Sequence, residues 1–182
     1  MKNLRMNVGK IKDLIDLKTD NWKFPSSTNC YAYALGLDVP FTKISDHAYK
    51  IGCFSEDALK RRNINVFDLD EEKRLFLDLY YLGLSQTEVE PDYVLDNIDK
   101  KYSYFLISYF EGFQDFHFLR KNPYDNTWYH KVGYFTFPKN RDDDRKKIYN
   151  PKEAFFINYF YVKTLKVGFK NKRWLLWVLN TK

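Results

Sequence analysis

Phe24-Pro25-Ser26-Ser27-Thr28-Asn29-Cys30-Tyr31-Ala32-Tyr33-Ala34-Leu35-Gly36 is the stretch on which the reading of this chain turns. A proline followed by hydroxyl and amide residues marks a helix start, and Gly36 marks a stop. The stretch predicts a short helix from about Asn29 to Leu35, with Cys30 in its first turn. A thiol attacks a carbonyl only as the thiolate. Backbone N–H groups in the first turn of a helix favour that anion and can also hold the oxyanion formed by its attack. Cys30 is therefore the candidate nucleophile, and Asn29 a candidate second oxyanion donor. Taken alone, a cysteine on an Ala- and Tyr-rich helix reads as a small buried residue. Cys53, in Ile51-Gly52-Cys53-Phe54, has no helix start around it and reads as structural.

The chain has three histidines, and two of them fall on consecutive strand-like segments. These are Asp115-Phe116-His117-Phe118-Leu119-Arg120 and Trp128-Tyr129-His130-Lys131-Val132-Gly133, joined through the turn cluster Asn122-Pro123-Tyr124-Asp125-Asn126-Thr127. If those six residues are the turn, Lys121 faces Trp128, Leu119 faces His130 and His117 faces Val132. His117 and His130 are then diagonal neighbours on one sheet face, and a slip by one residue would separate them. Such a pair offers His117 as a base and His130 as the group that fixes its ring and tautomer. For each histidine singly, the competing reading is a polar residue satisfied on a half-buried strand. Asp115 is an alternative orienting group. Arg120 and Lys131 read as salt-bridged or solvated, Trp128 as core and His47 as a loop residue.

Outward from these motifs, residues 2–17 read as a short helix and 55–63 as a small one capped by Ser55. Residues 70–82 read as a longer helix with Leu75, Leu79 and Leu82 on one face. Residues 89–99 carry no clear period. Strands are expected at 102–110, 115–121, 128–133, 154–162 and 174–179, with a charged loop at 141–147. Helices first and an antiparallel sheet afterwards is the order of an α+β fold. A length of 182 residues suits a single domain, 1–182, with a helical insertion around 37–100.

An apolar fraction of 45%, with 15 Tyr and 16 Phe, fits a packed, strand-rich core. Two cysteines are too few for a secreted disulfide scaffold, which points to a reducing compartment. Neither a signal peptide nor an apolar run of membrane-spanning length is legible, so a cytoplasmic protein with no membrane partner is expected. The formal charge is +6, and from Lys139 onward twelve Lys/Arg stand against four Asp/Glu. A solvated basic face is the preferred reading of that bias over nucleic-acid binding, because no nucleic-acid motif accompanies it.

Together, Asn29-Cys30-Tyr31-Ala32-Tyr33-Ala34-Leu35-Gly36 and the two histidine segments resemble a group of bacterial and phage proteins. That group looks like a branch of the NlpC-type papain-like cysteine peptidases and amidases. The resemblance covers about half the chain, mainly residues 24–36 and 102–161. It implies a cysteine at a helix start, a first histidine on a following strand and a second polar residue, often histidine, on the next. Cys30, His117 and His130 match those places in that order. The chain departs from the pattern in its long stretch between Cys30 and His117, and in Gly133-Tyr134-Phe135-Thr136, where small residues and proline are expected. The implied activity is thiol-dependent hydrolysis or transfer at an amide of a peptide or protein, such as a host protein, with no metal or cofactor. The rival expectation is a non-catalytic binding module of the same fold, such as a phage-encoded inhibitor of a host defence protein.

Overall fold

The computed structural model describes residues 28–37, 50–89, 103–110, 116–122, 124–132, 136–151, 153–154 and 159–169. The expectations for residues 2–17 and 174–179, for His47 and for Asp115 lie outside them.

Helix α1 (Cys30–Ala34) begins where side-chain chemistry requires. Asn29 is its N-cap, extended at φ −99° and ψ −176°, and its Oδ1 accepts from the Ala32 N–H at 3.0 Å. At the other end, Gly36 adopts φ +68°. Its N–H bonds the Tyr33 carbonyl and the Leu37 N–H bonds the Ala32 carbonyl, each at 2.9 Å. This is the Schellman closure, for which glycine has no Cβ penalty.

Helix α2 (Glu56–Lys60) forms as expected but is not capped by Ser55. The Ser55 Oγ lies 2.8 Å from Asp78 Oδ1, to which it donates, so a tertiary acceptor has taken the hydroxyl from its local role. A 3-10 turn (Val66–Asp68) leads to helix α3 (Glu71–Tyr81), capped by Asp70 through the Lys73 N–H at 2.8 Å. Leu75, Leu79 and Leu82 are buried together, as their spacing predicts.

Strands β1 (Leu84–Val89), β2 (Ser103–Phe110), β3 (Phe116–Lys121), β4 (Trp128–His130) and β5 (Tyr159–Phe169) form one five-stranded sheet in the order β1-β5-β2-β3-β4. All its pairings are antiparallel. The α+β class is therefore observed. β1 falls inside the stretch 37–100 expected to be helical. Its sequence, LSQTEV, has no apolar alternation, and it is held at the sheet edge by its register with β5. β5 corrects the expectation at 154–162: Ala154 is outside any strand, and pairing with β1 and β2 carries the strand to Phe169. β4 ends at His130, three residues short of the expected limit.

The two sheet faces have separate cores. On one, Tyr31, Ala34 and Leu35 of the α1 region meet Leu75, Leu79, Phe118, Leu165 and Val167. On the other, Leu119 and Trp128 pack with Ile148. Phe116 and Phe118 pack on the α1 side of the sheet, and Leu119 packs on the other. Among the described residues, no helix is long and apolar enough to cross a membrane.

Candidate functional site

The site is built on β3. Tyr31, next to Cys30, sets its ring 5.0 Å from Phe118 and 6.2 Å from Phe116, and donates its hydroxyl to Asp78 Oδ2 at 2.8 Å. These contacts fix α1 on the sheet with Cys30 at its leading end. The Cys30 Sγ donates to the Phe116 carbonyl oxygen at 3.9 Å, and the residue is 7% exposed. Its docking point is thus the residue immediately before His117.

The histidine pair forms as its spacing predicts. The turn closes through the Asn122 N–H to the Thr127 carbonyl at 2.9 Å. Leu119 then pairs with His130 and Lys121 with Trp128. His117 Nε2 lies 2.7 Å from His130 Nδ1, with the rings nearly perpendicular at 87°. His130 Nε2 lies 2.8 Å from the Arg141 carbonyl oxygen. A carbonyl only accepts, so His130 carries its proton on Nε2 and its Nδ1 is an acceptor. His117 must then donate from Nε2, which leaves the lone pair of its ring on Nδ1. One backbone carbonyl thereby sets both tautomers.

The backbone around this relay is held from both sides. The His130 N–H and C=O bond Lys139 at 2.8 and 2.9 Å. In β2, the register shifts between Ile107 and Ser108, and Ser108 is the residue paired with His117. Burial first, then the His130 and Lys139 charges, lower the His117 pKa to about 3. Burial likewise lowers His130 to about 4, against the opposing pull of the Arg141 carbonyl. Both rings are neutral at pH 7.

Asn29 commits Oδ1 to the helix cap, so an oxyanion contribution from its side chain would have to come from Nδ2. Of the two readings for Arg120 and Lys131, salt-bridged or solvated, the solvated one does not hold: they are 3% and 0% exposed. Arg120 Nη1 is buried with no hydrogen-bond partner. Burial lowers Lys131 to about 8, and the Cys30 charge acts on it in the opposite direction. Trp128 is core, with the Lys121 ammonium 5.6 Å above its ring. Cys53 packs against the core as the structural reading requires.

The structure therefore joins His117 to His130 directly and docks Cys30 on the neighbouring residue of the same strand. Arg141, which contributes only a carbonyl, was missed, and a backbone carbonyl has no side-chain signature. Among the described residues, no group of three or more His, Cys, Asp or Glu gathers to hold a metal. Comparison with protein-family models, curated proteins and solved structures finds no match.

Proposed function

We propose that this protein is a thiol-dependent hydrolase or transferase acting on an amide bond, with an NlpC-type papain-like core. Cys30 attacks the carbonyl, His117 takes and returns the proton through Nδ1, and His130 orients His117. Attack forms the S–C bond and moves the carbonyl π pair onto oxygen, where the Cys30 N–H and Asn29 Nδ2 are the donors assigned to the oxyanion. Collapse expels the amine with the proton from His117. Water, or an acceptor amine in the transferase case, then releases the acyl group from sulfur. The observation that carries this reading is the Arg141–His130–His117 relay, which fixes one tautomer beside the strand position where the thiol docks. Such a fixed relay is what a general base requires.

The second reading, a non-catalytic binding module directed at a host protein, is favoured by the burial of Cys30. Alkylation of the intact protein with iodoacetamide at pH 7, read by peptide mass spectrometry, separates the two. A nucleophilic Cys30 reacts faster than the more exposed Cys53, and His117→Ala slows it at least tenfold. Faster labelling of Cys53, in the order of exposure alone, removes the enzyme reading.

A further inference from the structure

We propose that the buried guanidinium of Arg120 is the receptor for a carboxylate carried by a second molecule. The inference stands apart from the reading of Cys30 as nucleophile and concerns binding alone.

Arg120 is on β3, directly opposite Phe105 of β2 and Tyr129 of β4. It is therefore one strand in from the sheet edge that β4 forms. The residue is 3% exposed, and its Nη1 is enclosed with no hydrogen-bond partner. An arginine keeps its charge at any pH at which a protein is folded, so a positive charge has been taken out of water here. Such burial is costly unless an anion or strong acceptor meets the charge, and an apolar residue of similar volume would serve packing better.

Elsewhere the chain answers its enclosed cations. Lys121, the next residue, donates its ammonium to the Asn126 carbonyl at 2.6 Å and lies over the Trp128 ring. Arg74 of α3 also has an enclosed nitrogen without a partner, Nε, but its Nη2 is ion-paired with Glu71. The other two such atoms among the described residues, Gln86 Oε1 and Trp128 Nε1, belong to neutral groups. The ion pairs among the described residues join Lys73 to Asp70, Arg74 to Glu71 and Lys146 to Asp144, and none reaches Arg120.

The surroundings select the kind of anion. Tyr129, directly across from Arg120, donates its hydroxyl to Asp125 Oδ2 at 2.9 Å. Asp125 Oδ1 accepts from the Thr127 N–H and hydroxyl at 3.0 and 2.7 Å, so that carboxylate is committed to its own turn. Tyr129 is half-buried and Asp125 exposed, so the side chain opposite Arg120 leads out to solvent, from which a ligand arrives. An incoming dianion would meet one compensating charge and the repulsion of Asp125. A monoanion with two oxygens matches both the charge and the planar fork of a single guanidinium.

The test is a titration of the full chain with sodium acetate, followed by nitrogen–proton NMR at the Arg120 Nε–H, with sodium chloride at equal ionic strength as control. Acetate should move the resonance along a saturable curve, half-complete in the millimolar range, and raise the thermal unfolding midpoint relative to chloride. Arg120→Lys keeps the charge but loses the fork, and should weaken the acetate effect about tenfold or more. Inorganic phosphate should bind no better than acetate. N-acetyl-dialanine, with a free α-carboxylate, is then set against N-acetyl-aspartic acid α-amide, with a side-chain carboxylate, and the tighter of the two names the source. A wild-type response to acetate that only parallels chloride overturns the inference, and this arm needs no variant to fold. An Arg120→Lys variant that binds acetate as well as wild type overturns it too, and tighter binding of phosphate overturns the choice of carboxylate.

Discussion

His130 has both ring nitrogens committed, one accepting from His117 and the other donating to the Arg141 carbonyl. Removing the ring leaves two buried polar groups without their partner, and His117 is then free to exchange tautomers. His130→Ala should therefore cost about 1–3 kcal/mol of stability, the usual penalty for an unmet buried donor. Urea unfolding measures the cost. Long-range nitrogen–proton NMR spectra read the mechanism: wild-type His117 shows a single Nε2–H tautomer, and the variant shows an averaged pattern. A variant equally stable and still locked in one tautomer would show that the relay is incidental. At this scale the sequence was informative, since the two histidines and the six-residue turn between them settle which atoms can meet.

Between elements, the central joint is Asp78 on α3. Its carboxylate accepts from the Tyr31 hydroxyl and the Gly52 N–H on Oδ2, and from the Ser55 N–H and hydroxyl on Oδ1. α1, the turn before α2 and α3 are thus tied to one fully buried group. Burial raises its pKa to about 6 while the donated hydrogen bonds pull it down. Asp78→Ala would leave three buried donors unanswered, the Ser55 hydroxyl keeping the Gly52 carbonyl at 3.1 Å, and should destabilise the protein by upwards of about 3 kcal/mol. Chemical denaturation checks this. A loss below about 1 kcal/mol would mean that water replaces the carboxylate without strain. Nothing in the sequence announced this joint: Asp78 sits on an ordinary helix, and its three partner residues lie 23 to 47 positions away. The same non-local acceptor explains why Ser55 does not cap α2.

For the whole molecule, the buried imidazoles dictate an acid-sensitive fold. Both histidines have native pKa values lowered from the ordinary 6.5, to about 3 and about 4. Below pH 6.5 the unfolded chain binds protons that the native rings refuse, so stability falls as pH falls. Asp78 acts with the opposite sign, because its native value is raised from 3.8 to about 6 and the native state gains a proton in that window. Two protons against one leaves a net loss on the order of 1 kcal/mol per pH unit between pH 6 and pH 4. Replacing both His117 and His130 by Gln should reverse the slope in that window. Thermal or urea unfolding across pH 4–7 measures it, and a wild-type stability that is flat or rising towards acid would contradict the buried, neutral pair.

Local chemistry alone determined the start and stop of α1, the leucine face of α3, the closure of the 122–127 turn and hence the meeting of His117 with His130. Each depends on a side-chain oxygen, a glycine at positive φ or a fixed residue count, all of which act within a few positions of chain. Tertiary packing alone decided that LSQTEV would be a strand, that β5 would run to Phe169, and that Arg120 and Lys131 would be enclosed. Those outcomes depend on which surface covers a residue, and the covering surface comes from segments far away in the chain.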